Sequence, residues 1–393
     1  MSVEKTDWTV VLAATFAGMT AALQLGKAAA TLPLIRAEFG AGLSLLAVYV
    51  SLISVVVALT GLVFGSFTRM IGVRRAALLG LFCVAGGSAL GAVAPGVPSL
   101  LASRAVEALG FALAVTAMPP IIQAATAARQ KSLALGIWAA WLPAGMALMM
   151  AIAWLVLDRV GWRGAFWICA GLPLVAAALL AAATPPPARG AAVARLSGLR
   201  RVLTRASLLT TGNFVVFSAS NLIVMAFLPT LLVDEFAMTP VDATLVAFFT
   251  ALSLVPSNIW AGWLLDRGVP ARRLFLLSFA AMILFAFLLL APMLPDGPRI
   301  AAAFAFGFTA GVPPAVVWGS IPRLAETPEQ APLLSGLLYQ GAGIGQVIGP
   351  VLAGVAVEDL GGWFPAFWII LALLALGLGF SRGLPRAQPR VSR

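Results

Sequence analysis

The sequence predicts an all-α integral membrane protein, with twelve transmembrane helices in two pseudo-symmetric six-helix halves. Three observations predict it. The 393-residue chain is 61% hydrophobic and only 10% charged, whereas about a quarter of the residues of an ordinary soluble domain are charged. Apolar runs long enough to cross the ~30 Å hydrocarbon layer as helices recur along the chain. Short motifs from the first half return at corresponding places in the second, the mark of an internal repeat.

The apolar runs cover 8–31, 44–66, 76–94, 99–125, 132–156, 164–183, 207–232, 241–265, 272–294, 299–321, 331–357 and 363–381. The first is too long for a signal-peptide core and is expected to be retained as a helix. The charge lies between the runs. With both termini cytoplasmic, nineteen of the 25 Lys and Arg fall in cytoplasmic segments, and only Arg36, Arg159, Arg163 and Arg299 fall in outside loops. That asymmetry sets the expected orientation by the positive-inside rule and places the protein in an inner or plasma membrane. It also accounts for the net charge of +11 without a nucleic-acid partner. The longest connector, 184–206, is rich in Pro and Arg and divides an N-terminal half, 1–183, from a C-terminal half, 207–381, with a cytoplasmic tail at 382–393.

The repeat is legible in particular residues. Leu32-Pro33 followed by Glu38-Phe39 returns as Leu228-Pro229 followed by Glu235-Phe236, and Pro119-Pro120 returns as Pro313-Pro314. Gly161-Trp162-Arg163-Gly164-Ala165-Phe166-Trp167-Ile168 returns as Gly362-Trp363-Phe364-Pro365-Ala366-Phe367-Trp368-Ile369.

Composition also excludes chemistry. The chain has no histidine, which removes a Ser-His-Asp triad, a histidine-ligated zinc and a histidine proton relay. There is no Gly-rich Lys-Ser/Thr phosphate loop, so ATP is not the expected energy source. Neither an enzyme nor a cofactor or metal is expected. Cys83 and Cys169 lie inside apolar runs and read as small hydrophobes. The glycines of Gly341-Ala342-Gly343-Ile344-Gly345-Gln346 read as a close-packing face, with Pro350 permitting a bend.

The candidate site begins in the first run, where Lys27 sits well away from either end with Gln24 one turn earlier on the same face. Placing an ammonium there costs roughly 2.5–3.5 kcal/mol on insertion scales, so such a lysine reads as functional. Runs 3, 6, 9 and 12 are nearly pure hydrocarbon, whereas runs 1, 4, 7, 8 and 11 carry polar groups that lipid cannot satisfy. The expected cavity set is Gln24, Lys27, Arg104, Asn221, Tyr339 and Gln340. Trp138 and Trp141, one turn apart, form either an apolar wall of that cavity or part of an interfacial girdle. Glu107 lies one turn after Arg104 and can pair with it, leaving a net positive charge for an anionic ligand. Alternatively, Glu107 takes up a proton when the ligand satisfies Arg104, coupling the two movements. A structural ion pair with a lysine reaching toward the interface is the competing reading.

The chain resembles the major facilitator superfamily over nearly its whole length. Gly65-Ser66-Phe67-Thr68-Arg69-Met70-Ile71-Gly72-Val73-Arg74-Arg75 is similar to that family's Gly-x-Leu-x-Asp-Arg-x-Gly-Arg-Arg loop, with Arg69 where the Asp is expected, and Gly262-Trp263-Leu264-Leu265-Asp266-Arg267 keeps the acid. The resemblance implies a cytoplasmic gate containing Arg69, Asp266 and Arg267, and a peripheral third helix in each triplet. Arg104-Ala105-Val106-Glu107-Ala108-Leu109-Gly110 is similar to the family's Arg-x-x-Gln-Gly-x-Gly helix. Of the antiporter motif of the fifth helix only Leu142-Pro143-Ala144-Gly145 is present. Registered on Leu32-Pro33, the acid of the drug-antiporter pattern is replaced by Gln24, with Lys27 one turn later.

The expectation is a monomeric secondary active transporter in the lipid bilayer, moving a small anionic organic or inorganic solute by alternating access with proton coupling. The alternatives are a proton-coupled multidrug or metabolite exporter and, from another class, a membrane receptor or sensor.

Overall fold

The computed structural model describes residues 4–40, 43–185 and 199–385. Most of the expected linker and of the expected tail, at 186–198 and 386–393, lies outside the described residues. Among the described residues, twelve helices are long and apolar enough to cross a membrane. We number these spans 1 to 12: Trp8–Ala28, Val48–Ile71, Val73–Ala92, Val97–Ala124, Ala128–Leu157, Arg159–Ala183, Arg205–Phe236, Asp242–Asp266, Ala271–Leu290, Asp296–Leu324, Ala331–Val357 and Pro365–Arg382. In unit 1 the end carrying the connector between spans 2 and 3, and in unit 2 the end carrying the connector between spans 8 and 9, is called that unit's basic face below.

Several helix ends have plain local causes. The Asp7 carboxylate accepts the Thr9 and Val10 N–H groups at the start of the helix Trp8–Phe39, and Gly40 ends that helix in the left-handed conformation, φ 60°. Proline explains three internal interruptions. Helix is broken at Ala140, Ser253 and Gly311, and each of these residues lies three before a proline, Pro143, Pro256 and Pro314. A proline ring supplies no N–H and clashes with the carbonyl one turn back, so the kink falls there. Spans 5 and 6 run together as one helical stretch, Trp141–Ala183, turned only at Gly161, φ 65°.

The chain packs as two units. Unit 1 comprises Met1–Ala128, Trp141–Val202 and Ala325–Gln340; unit 2 comprises Arg129–Ala140, Leu203–Leu324 and Gly341–Arg393. Each therefore incorporates a short piece from the other half of the sequence. In unit 1, span 4 packs against spans 2 and 3, and span 1 against spans 5 and 6. Spans 3 and 4 approach through glycine: a Cβ on Gly80 would lie 2.5 Å from the Ala114 nitrogen, and one on Gly110 2.7 Å from the Gly80 oxygen. In unit 2, span 9 packs against spans 10 and 12, and span 12 against span 7. The span 11 glycines are a packing face, since a Cβ on Gly345 would lie 2.2 Å from the Val215 oxygen and one on Gly349 2.4 Å from the Ala219 oxygen.

The repeated motifs make equivalent closures on the face opposite the basic one. In unit 1, Trp162 Nε1 donates to Glu38 at 2.6 Å, and Arg163 pairs with Glu38 at 2.7 Å while donating to the Ala94 carbonyl. The Trp162 hydrogen bond, with Arg163 beside it, holds the Glu38 carboxyl below the usual carboxylate range. In unit 2, Trp363 Nε1 donates to Asp234 at 3.1 Å, and Arg299 pairs with Glu235.

Candidate functional site

Lys27 faces into unit 1 and is completely buried, as are Arg104 and Glu107. An ammonium in that position needs partners on every side, and three spans supply them. Lys27 Nζ pairs with Glu107 Oε1, donates to Ser88 Oγ at 2.9 Å and lies 4.0 Å from the centre of the Phe166 ring. Ser88 Oγ in turn donates to the Phe166 carbonyl at 2.8 Å. Arg104 Nη1 holds the other carboxylate oxygen at 2.8 Å and also donates to the Gln24 carbonyl at 2.8 Å; its Nε donates to the Tyr49 carbonyl at 3.1 Å. Glu107 thus bridges two cations, and the ionised trio carries one net positive charge.

The cluster is not saturated. Among the described residues, Arg104 Nη2, the Tyr49 hydroxyl and Gln24 Oε1 are buried with no hydrogen-bond partner. Gln24 commits only its amide nitrogen, to the Cys169 carbonyl at 3.0 Å. Unpaired buried polar atoms are rare in folded proteins, so these three call for partners that the neighbouring side chains do not supply.

Glu107 is held by the absence of a side chain opposite it. A Cβ on Gly87 would lie 2.6 Å from Glu107 Cγ and 2.7 Å from its nitrogen, whereas one on Gly86 would meet nothing within 4 Å. We expect Gly87→Val to destabilise the protein by about 1–3 kcal/mol through overpacking and Gly86→Val to leave it near the parent. Thermal unfolding of the two purified variants checks this, and equal melting temperatures would contradict it.

The remaining expected residues are distributed between the units. In unit 1, the Trp141 ring lies 5.7 Å from Phe111 and 6.2 Å from Tyr339, and Gln340 Oε1 accepts the Leu62 N–H at 3.4 Å. In unit 2, Trp138 is fully buried and Asn221 Oδ1 is buried without a partner among the described residues. The two tryptophans, one turn apart in sequence, belong to different units. Several lone polar residues are structural: Asn213 Oδ1, for instance, accepts from Ser381 Oγ at 2.9 Å.

Three cluster residues escape a reading of polar content by span. Ser88 and Phe166 come from spans 3 and 6, which the sequence presents as hydrocarbon, and Tyr49 from span 2. Ser88 is the one hydroxyl in Val73–Ala92, the only signal that span 3 contributes to a polar site.

At the basic face of unit 2, Asp266 meets the start of span 5. Its two oxygens accept the Ser132 N–H at 3.0 Å and the Leu133 N–H at 2.7 Å, at the first turn of span 5. A carboxylate is favoured there because a helix N-terminus presents unpaired N–H groups and a partial positive charge. Arg323 donates to the Leu265 carbonyl at 3.3 Å and the Gly319 carbonyl at 3.2 Å beside it. Arg267 points elsewhere, with its guanidinium 3.8 Å from the centre of the Trp263 ring.

The profile of the Major Facilitator Superfamily matches residues 10–331 and 209–393. The chain belongs to the Major Facilitator Superfamily. Members of this superfamily are membrane transporters rather than enzymes, and the protein is an integral membrane protein. Among curated relatives, human monocarboxylate transporter 11 is 29% identical over 280 residues, covering 66% of this chain and 58% of that protein; the chain thus spans less than two thirds of that relative's length. The inner membrane transport protein YdhP of Escherichia coli O157:H7 is 27% identical over 331 residues, 80% of each chain. Among solved structures, the human organic anion transporter TETRAN superposes with a TM-score of 0.72 at 17% identity, over 95% of this chain and 99% of that one. That likeness shows the superfamily fold.

Proposed function

We propose that this protein is a secondary active transporter that moves a small anionic solute by alternating access, coupled to protons, with both termini cytoplasmic. Monocarboxylates are the class to test first. One observation carries the reading: a fully buried cluster of two basic side chains and one acidic one that keeps Arg104 Nη2 and the Tyr49 hydroxyl unpaired. A net charge away from water is costly unless it is paired, and a guanidinium edge beside a hydroxyl suits a carboxylate. The names of two similar proteins, a monocarboxylate transporter and an organic anion transporter, support the same class. A substrate carboxylate on Arg104 competes with Glu107 for that cation. Glu107, displaced in a low-dielectric interior, is the group to accept a proton. A cationic-drug exporter is disfavoured, because Lys27 and Arg104 give the site the wrong sign.

The test is thermal stabilisation of the purified protein by pyruvate, lactate and benzoate against tetraphenylphosphonium, since a ligand of the folded state raises the melting temperature. We expect a carboxylate to stabilise the parent and not Lys27→Gln, which leaves a neutral Arg104–Glu107 pair and a folded protein. Unchanged carboxylate affinity in Lys27→Gln, or stabilisation by the cation alone, would overturn the anion reading. Counterflow in proteoliposomes separates a transporter from a receptor that only binds.

A further inference from the structure

The orientation of the Gln24 side chain is dictated from another span. Span 6 carries Pro173 within its helix. A proline supplies no N–H to the carbonyl four residues earlier, so the Cys169 carbonyl lacks its helical partner in the middle of an apolar run. Away from water such a carbonyl must find a donor elsewhere, and Gln24 Nε2 provides it at 3.0 Å. A carbonyl oxygen only accepts, so the amide nitrogen of Gln24 must face span 6 and its oxygen the other side. That oxygen, Gln24 Oε1, is buried and without a partner among the described residues.

Its surroundings are those of the anion site. Arg104 Nη1 donates to the backbone carbonyl of Gln24 itself at 2.8 Å, and Arg104 Nε donates to the Tyr49 carbonyl at 3.1 Å. The three open atoms, Arg104 Nη2, the Tyr49 hydroxyl and Gln24 Oε1, thus belong to residues joined by one guanidinium. Their chemistry differs. Arg104 Nη2 can only donate, the tyrosine hydroxyl can donate, and an amide oxygen can only accept. A bare carboxylate offers acceptors alone, so it satisfies the guanidinium and the hydroxyl and leaves the Gln24 oxygen stranded. The missing counterpart is a donor. An ammonium is opposed by Lys27, one turn along the same helix, and by Arg104, both fully buried. A neutral hydroxyl meets no such opposition.

We propose that Gln24 is a specificity-determining residue: its oxygen accepts the hydroxyl of a hydroxycarboxylate, so the site selects such an acid over the same acid with a hydrogen or a keto oxygen in that place. The hydroxyl sits close to the acid group, as in lactate, because the guanidinium that takes the carboxylate is bonded to the backbone of the residue that takes the hydroxyl. A keto acid is the worst match, since it sets a second acceptor against Gln24 Oε1. The proposal rests on the anion reading above and narrows it.

The test is thermal stabilisation of the purified protein titrated with lactate, with propionate, which lacks only the hydroxyl, and with pyruvate. A site built to hydrogen-bond a substrate hydroxyl rejects the analogue without it, because its own buried group is then left unpaired. In the parent, half-saturation by lactate should come at a concentration about tenfold or more below that of either other acid. In Gln24→Met/Pro173→Ala the acceptor is gone, and the second change returns a backbone N–H to the Cys169 carbonyl, so folding does not depend on the lost amide. There the three acids should half-saturate within about twofold of one another. Pro173→Ala alone is the control: a carbonyl oxygen has two lone pairs, so Gln24 keeps its bond and lactate should keep its preference. Equal stabilisation of the parent by the three acids would overturn the hydroxyl selection and leave the anion reading standing, whereas a parent that none of them stabilises would overturn both. A preference that survives in Gln24→Met/Pro173→Ala, or that disappears in Pro173→Ala as well, would overturn the role of Gln24.

Discussion

Glu107→Gln is expected to lower the melting temperature of the protein more than any other single substitution in the buried cluster. Glu107 is the only anion between Lys27 and Arg104 in that cluster, and all three are shut away from solvent. Removing one partner of a buried ion pair costs about 3–5 kcal/mol, because the charge left behind has no compensation. Here two cations lose their carboxylate at once. A cost of that size lowers the melting point by on the order of 10 °C in a domain of 150–250 residues. Lys27→Gln should be tolerated far better, since its amide can still donate to Glu107 and Arg104 keeps its partner. Lys27→Gln/Glu107→Gln should recover part of the loss by removing one stranded cation. Thermal unfolding of the three purified variants measures this ordering, and a Glu107→Gln protein that melts with the parent would show that the cluster does not hold unit 1 together.

The second large effect is expected at Asp266. Asp266→Ala leaves the Ser132 and Leu133 N–H groups, now capped at 3.0 and 2.7 Å, without acceptors at the start of span 5. Losing such a cap costs up to about 2 kcal/mol, and part-buried donors left unsatisfied cost about as much. The basic-face contact of unit 2 should open 30-fold or more often, read as the maleimide labelling rate of Ala134→Cys, a fully buried position on the same turn. Asp266→Asn, with one oxygen left to accept, should show an intermediate rate. Neutralising Arg69 should change the maleimide labelling rate of Ser335→Cys, a fully buried position on the first turns of span 11, only a few-fold. Equal, mild effects at Asp266 and Arg69 would remove the distinction between the two residues.

The opposite face shows how directly the repeat specifies structure. Glu38 and Glu235, matched in sequence, each pair with an arginine, and Trp162 and Trp363, also matched, each donate to a carboxylate. The arginines come from different places, Arg163 from span 6 and Arg299 from span 10, so sequence correspondence identifies the acids and the tryptophans but not the cations that reach them.

Sequence alone determines the twelve spans, because hydropathy over a span-length window depends only on neighbours along the chain. It also marks Lys27, Arg104 and Glu107 as one set, because ionised groups are too expensive in hydrocarbon to be incidental. The tertiary structure decides which ion meets which. Glu107 lies one turn from Arg104, yet its second partner, Lys27, is 80 residues away, and the lysine's other hydrogen-bond partner, Ser88, is 61 residues away on a span that reads as hydrocarbon. Likewise, that Trp138 and Trp141 fall in different units follows from how helices cross. Crossings are set by glycine-to-backbone approach between distant segments, and no periodicity within one segment records which segment will lie opposite.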